Sequence, residues 1–337
     1  MLSIFPYCGG TIPQISALSH DLGDTLGGDT VVITGRNFST VTGAAGVKFG
    51  ATNAASYVVD SDQQITAVSP AASAGSVNIT VTNGVGTSTD TAAYEFWSPA
   101  VVTPQWFWDS AYTTPYVKPG GGTPATWPYR YRHADMAAFA GIWTNNAAES
   151  TQPTATGGRP VFDRAASQTL FHGNGTALQS MSINTVMGGG DCMIACGFQP
   201  VDILTADADS YDNEALFADD GLVTGLFLGG TSSNEAFFLY WDGAKKEAKL
   251  TLPVVAANHV VVGERNGGNL RITRDGSAWT AGSTGTGVLA GGSGNLRLYT
   301  RGSTYGKGTI KFLILDDAAW SAANVTKLYK WAAVRHP

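Results

Sequence analysis

Ser76-Val77-Asn78-Ile79-Thr80-Val81-Thr82, followed at once by Asn83-Gly84, is the stretch that decides the fold class. Its apolar residues fall on every second position, the period of a strand with one buried and one wet face; a helix would need apolar positions three and four apart. Asn-Gly suits the positive φ angles of a tight hairpin turn, so this strand is expected to fold back antiparallel. The same alternation of short β-rich runs and turn clusters extends in both directions. It covers Thr30 to Thr34, Gly46 to Phe49, Ser56 to Val59, Gln64 to Ser69 and Ala92 to Phe96. A strand about every ten residues is the pattern of a β-sandwich.

Composition extends the all-β reading to the rest of the chain. At 337 residues there is length for about two domains of ~150 residues, each able to bury a core without a metal or disulfide. Only 14% of residues are charged while glycine numbers 42, which favours short strands and tight turns over long surface helices. A net charge of −6 with scattered Lys and Arg offers no footprint for a phosphate backbone, so no nucleic-acid partner is expected. Cys8, Cys192 and Cys196 are too few for a disulfide framework. In a strand from Asp191 to Phe198 the latter two would share a face about 13 Å apart, beyond disulfide reach, and read as small buried hydrophobes. The opening Met-Leu-Ser-Ile-Phe-Pro-Tyr-Cys lacks a basic region and a sustained apolar run, so no signal peptide is read there. No stretch approaches the ~20 apolar residues of a membrane span. The expectation is a chain folded in a cytoplasm and carried outside, if at all, within a particle released by lysis.

Pro13-Gln14-Ile15, Leu26 to Phe38, Val47-Lys48-Phe49-Gly50, Ile65 to Ala71 and Val77 to Gly84 occur in the order of a known family. Over residues 13–97 the chain resembles the IPT/TIG immunoglobulin-like domain of plexins and transcription factors. The resemblance implies an immunoglobulin-like sandwich that serves as spacer or interaction platform. Gly27-Gly28 and Gly35 are expected at turns flanking a strand, and Phe38 at one end of the core. Residues 1–12 read as an N-terminal arm.

Ser98 to Pro104 reads as an extended linker, its prolines denying ladder hydrogen bonds. Gln105 to His133 is dense in Trp and Tyr and broken by Pro119-Gly120-Gly121-Gly122, which predicts an ordered arm without regular structure. Residues 98–133 are therefore assigned to linker and arm, packed along its own domain or a neighbouring subunit, with an aromatic glycan platform as the sharper reading.

From residue 134 to 337 a second sandwich is expected. Its strands are read at Arg159 to Phe162, Thr169 to Phe171, Cys192 to Phe198, Glu214 to Ala218, Gly225 to Leu228, Glu235 to Trp241, Ala248 to Leu252, Asn258 to Arg265, Asn269 to Arg274, Asn295 to Thr300 and Thr309 to Leu315. No repeated unit is present, which suits a large jelly roll better than a propeller. Only the end reads as helix, with Ser321 as cap and Val325, Leu328, Tyr329 and Ala332 on one face. Gly157 to Asp163, Gln168-Thr169-Leu170, Leu270 to Gly276, Asn295 to Leu298 and Gly308 to Leu315 with Trp320-Ser321 following carry a second likeness. The module resembles the laminin G-like and concanavalin A-like lectin superfamily.

Catalytic signatures are missing from the sequence. Retaining glucanases on concanavalin-like folds resemble a Glu-x-Asp-x-x-Glu strand holding two carboxylates about 5 Å apart, and this chain has no such run. Asp207, Asp209, Asp212 and Glu214 come nearest and read as a solvated acidic loop, with calcium as the minor alternative. Asp219-Asp220 is a second calcium candidate of that kind. There is no Gly-x-Ser-x-Gly elbow, Walker loop or dinucleotide fingerprint, and His20, His133, His172, His259 and His336 stand apart from one another. Sequons at Asn37, Asn78, Asn174 and Asn324 are unremarkable in so polar a chain. Tyr240, Trp241 and Arg301 are the candidates for a sugar-binding face, although alternation along Phe237 to Trp241 requires one of Tyr240 and Trp241 to be core.

The expected function is non-enzymatic. Both family resemblances imply a bacteriophage virion accessory protein, a capsid decoration or tail protein present in many copies. Its partners would be major capsid or tail proteins and host cell-surface glycans, with no membrane insertion and no cofactor apart from the calcium alternative. The competing expectations are a secreted bacterial adhesin or carbohydrate-binding module, and then a glycoside hydrolase or lyase on the jelly roll.

Overall fold

The computed structural model describes residues 10–104, 106–109, 126–128, 142–145, 161–162, 181–183, 191–202, 214–219, 225–228, 235–241, 244–252, 257–284, 296–298, 307–316 and 318–337, several strands of the second half by backbone register alone. Among the described residues the fold is all-β apart from one helix, α1 (Ala322–Arg335), and a 3₁₀ turn at Pro99–Val102. It divides into two compact units, one of residues up to Val101 with Lys330–Arg335 and Pro337, the other running from Val102 to Tyr329 with His336.

The first unit holds nine strands: β1 (Gln14–Leu18), β2 (Leu22–Gly23), β3 (Thr30–Arg36), β4 (Val47–Phe49), β5 (Thr52–Asn53), β6 (Ser56–Ser61), β7 (Gln64–Val68), β8 (Gly75–Val81) and β9 (Ala92–Phe96). One sheet has the order β1-β3-β7-β6, the other β2-β9-β8-β4-β5. Every pairing is antiparallel except β2 with β9. The alternation read from Ser76 to Thr82 produces its predicted face, since Ile79 and Val81 are fully buried. They meet Val31 and Ile33 of β3 and Ile65 of β7 in one core. At its centre Tyr94 lies edge-on to Phe49 and Phe96, with centroids 5.1 and 5.2 Å away, the geometry that aromatic quadrupoles favour. Phe38 closes the core as expected and is completely buried.

Three local expectations are corrected. Asn83 and Gly84 do not take positive φ. The turn is instead made by the Asn83 side chain, whose Oδ1 accepts the Val85 and Gly86 N–H groups at 2.9 and 3.2 Å. Gly35 lies inside β3 and not at a turn; a Cβ there would sit 1.9 Å from the Gln14 carbonyl oxygen and 2.4 Å from the Phe38 ring, so close packing, not φ, requires glycine. Gly27 and Gly28 do occupy the left-handed region, at φ +67° and +87°. The linker is not extended, because Pro99–Val102 winds into the 3₁₀ turn with Val101 N–H donating to Ser98 O at 3.0 Å.

In the second unit, one sheet runs Trp106–Asp109, Lys307–Asp316, Cys192–Asp202, His259–Asn266, Asn269–Arg274, Thr280–Thr284, with Val161–Phe162 also on Lys307–Asp316. The other runs Thr126–Pro128, Ile142–Asn145, Met181–Ile183, Leu296–Leu298, Glu214–Asp219, Gly225–Leu228, Glu235–Trp241, Lys245–Thr251. Trp106–Asp109 and Thr126–Pro128 correct the expectation that Gln105 to His133 has no regular structure. Paired to a ten-residue strand at Trp106↔Leu315 through Asp109↔Phe312, even an aromatic run beside prolines satisfies its backbone. The strand expected at Thr169 to Phe171 lies outside the described residues. Between Gly197 and Phe198 the partner jumps from Phe312 to Ile310, leaving Lys311 as the extra residue of a β-bulge.

The helix forms where its cap predicts. Ser321 Oγ accepts the Asn324 N–H at 3.2 Å, and Val325, Leu328 and Ala332 are buried. Trp331, which the sequence reading passed over, is the largest fully buried side chain described.

Candidate functional site

Tyr240 and Trp241 end a hairpin strand in register with Lys246 and Lys245. Ala236 and Phe238 of the same strand are buried, so the run does supply core, as the alternation required. Asp219 closes its strand opposite Leu296. Asp220 and Arg301 lie outside the described residues, as do Asp207, Asp209 and Asp212, so the expected sugar face and calcium loop are not brought together in what is described. Among the described residues no group of three or more His, Cys, Asp or Glu side chains is placed to hold a metal, and no helix is long and apolar enough to cross a membrane.

A different polar constellation emerges from strand pairing. Met193 stands in register with Asp316 on one side and Glu264 on the other, and Glu264 with Arg271. Asp316, Met193, Glu264 and Arg271 thus form one row across four strands, with neighbours ~4.8 Å apart. Glu264 is wholly buried and accepts a short hydrogen bond from the Arg271 guanidinium. Burial pushes its carboxyl above the usual carboxylate range, against the lowering pull of Arg271. Arg271 lies 4.3 Å over the ring of half-buried Trp279, a cation–π stack, and keeps 31% of its side chain exposed. Next along, the turn Asp275-Gly276 has φ +47° and +76°. Asp275 Oδ2 is 2.8 Å from His259 Nδ1, and its Oδ1 accepts the Val260 N–H at 2.7 Å. This end of the sheet therefore presents a partly exposed guanidinium and indole on a rigid support, groups that can donate to and stack on a polar ligand. Trp279 and Arg271 were not singled out from sequence. The one available signal was the tryptophan just after Asp275-Gly276.

The cysteines behave as buried hydrophobes. Cys192 and Cys196 are fully buried free thiols, and burial pushes the Cys192 thiol up to about 12, so neither is poised as a nucleophile.

In the first unit the buried polar groups are arranged differently. Asp24 Oδ1 accepts the Leu26 N–H at 2.8 Å, and its Oδ2 accepts Trp331 Nε1–H at 2.6 Å. Asp29 Oδ2 accepts the Asp24 N–H at 2.6 Å, while the Asp29 N–H donates to Ser69 Oγ at 3.1 Å. Desolvation raises the buried Tyr94 hydroxyl's pKa, and the neighbouring Asp29 adds to the shift. These loops lie between the strands that the sequence likeness picked out.

Residues 13–96 match the IPT/TIG domain. The matched span opens just before β1 and closes with β9, so the TIG module accounts for every strand of the first unit. No curated protein matches the chain. Among solved structures it is similar to the botulinum neurotoxin type G receptor-binding domain, at 11% identity and TM-score 0.41 over 58% of this chain and 47% of that one. It is also similar to the binding domain of botulinum neurotoxin DC in complex with rat synaptotagmin II, at 10% identity and TM-score 0.36 over 46% and 40%. The same toxin domain in complex with SialylT aligns at 9% identity and TM-score 0.36 over 45% and 39%. The chain spans less than half the length of each.

Proposed function

We propose that the chain is a non-catalytic binding protein in which the TIG module is a spacer or attachment platform and the second unit carries recognition. The observation behind this reading is the TIG match itself, laid over a complete two-sheet sandwich whose core and loops are filled by its own side chains. Partly exposed Arg271 and Trp279 are the described groups best placed to engage a polar partner.

In its finer form the proposal is a bacteriophage virion accessory protein, a capsid decoration or tail protein contacting other virion proteins or host-surface glycans. Its second unit would be of the laminin G-like or concanavalin-like kind. Low charge, abundant glycine and the lack of catalytic motifs in the sequence support that form. Mass spectrometry and cryo-electron microscopy of purified particles from the source test it. Many ordered copies per particle are expected. Their absence sinks the virion form and leaves the adhesin form, which a glycan array probed with the full chain would then test.

A further inference from the structure

Asn83-Gly84 opens the four-residue hairpin turn Asn83–Gly86, flanked by the Thr82↔Thr87 bridge, and the dipeptide carries a chemistry of its own. We propose that Asn83 is a site of spontaneous deamidation through a succinimide formed with Gly84, and that its conversion unfastens the segment Gly10–Ile12.

Three observations carry this. Gly84 is exposed, and a Cβ built on it would meet nothing within 4 Å, so no neighbouring side chain crowds the residue that supplies the nucleophile. The Asn83 carboxamide oxygen already accepts two backbone N–H groups, from Val85 at 2.9 Å and Gly86 at 3.2 Å. Donors held there stabilise the oxyanion that develops when a nucleophile adds to the carbonyl carbon. The third observation is a contrast within the chain. In Asn266-Gly267 the attacking nitrogen is occupied, since the Gly267 N–H donates to Asp191 Oδ1 at 2.9 Å. A carboxylate on that hydrogen opposes loss of the proton, which attack requires.

The reaction needs only water. The Gly84 nitrogen loses its proton and bonds to Asn83 Cγ, and Nδ2 leaves as ammonia, closing the five-membered imide. Water then adds to either imide carbonyl and breaks that carbon's bond to nitrogen. Opening at Cγ gives aspartate; opening at the main-chain carbonyl gives isoaspartate. No electrons are gained or lost.

The structural consequence follows from what Asn83 Nδ2 does. It donates to the Thr11 carbonyl at 2.9 Å, while Asn37 Nδ2 donates to the Ile12 carbonyl at 3.0 Å. Conversion replaces one of these two donors with a carboxylate facing a carbonyl oxygen, and the isoaspartate form also lengthens the loop backbone by a methylene.

The test is peptide mapping of the full chain during incubation in mildly alkaline buffer. The Asn83 peptide should convert to an aspartate and isoaspartate mixture well before the Asn266 peptide. Gly84→Ala, which the open space accommodates, should slow conversion about tenfold by hindering the near-attack approach. Limited proteolysis within Gly10–Ile12 should quicken in step with conversion. An Asn83 that stays amide while Asn266 converts, or a Gly84→Ala chain that converts at the original rate, overturns the site. Full conversion with unchanged proteolysis there overturns the unfastening.

Discussion

Two buried acidic sites, one in each unit, are satisfied by different means. In the TIG module, Asp24 and Asp29 accept hydrogen bonds from neutral donors, backbone N–H groups of their own loop and an indole, with Arg335 Nε standing off at 4.0 Å from Asp24. In the second unit, Glu264 lies in mid-sheet with a guanidinium as its cross-strand partner. A carboxylate held by neutral donors needs the loop to keep its shape, whereas one held by a cation needs the strands to keep register. The first arrangement ties a local turn to the module core. The second makes charge balance depend on the register of one hairpin, His259–Asn266 with Asn269–Arg274.

Truncating the indole should break the comparison most. Trp331→Ala removes the largest buried side chain and the 2.6 Å bond to Asp24, and should cost about 3–5 kcal/mol in urea unfolding followed by circular dichroism. Trp331→Phe keeps most of the packing and should cost about 1–3 kcal/mol, the share owed to a buried acceptor losing its donor. If the two variants are equally destabilised, the hydrogen bond rather than the ring volume dominates.

Gly35→Ala comes next, at about 1–3 kcal/mol, because the new methyl meets the Gln14 carbonyl and the Phe38 ring. Differential scanning calorimetry should show the loss, and an unchanged melting profile would mean that β1 moves aside freely.

Glu264→Gln sharpens the other half of the comparison. It should cost about 1.5 kcal/mol, since an ion pair becomes a hydrogen bond from the Arg271 cation to a neutral amide oxygen. The native carboxyl, raised by burial, binds its proton more tightly than the unfolded chain does. Stability should therefore fall as pH rises from the ordinary glutamate range through the raised folded value, and then level off. The Gln variant should lack that slope; a slope persisting in it would assign the titration to another group.

The smallest effect belongs to Asp21, whose carboxyl is lowered chiefly by the hydrogen bond from Lys330 Nζ at 2.7 Å. The Asp21 side chain is 62% exposed, so Asp21→Asn should cost at most about 1 kcal/mol after solvent screening. Because its folded value lies below the unfolded one, that contribution is present above the ordinary aspartate range. It disappears as pH falls through the folded value, so variant and parent should converge in acid.

What could be read in advance follows the same division. Local features were visible: the alternation from Val77 to Val81, the Gly27-Gly28 turn, Phe38 as a plug and Ser321 as a cap all depend on residues near in sequence. The hairpin after Thr82 was legible but its turn type was not, because the Asn83 side chain makes a four-residue turn in place of a two-residue one with positive φ. Trp106–Asp109 looked irregular because its partner strand lies some two hundred residues away. The row through Glu264 and Arg271, with the stack on Trp279, exists only once register is set. The Glu264–Arg271 pair was within reach, because Gly267-Gly268 makes a two-residue hairpin turn that sets that register, whereas Met193 and Asp316 join the row from distant strands.

Thr280–Thr284 ends its sheet, and all five of its residues, Thr-Ala-Gly-Ser-Thr, are exposed. At Gly282 the strand comes so near Lys245–Thr251 that a Cβ would sit 2.3 Å from the Glu247 carbonyl. A border strand that carries only small side chains, already lying against the rim of the opposite sheet, is a poor template for another chain. Molecules crowded together at high local density would then be kept from pairing edge to edge along this margin.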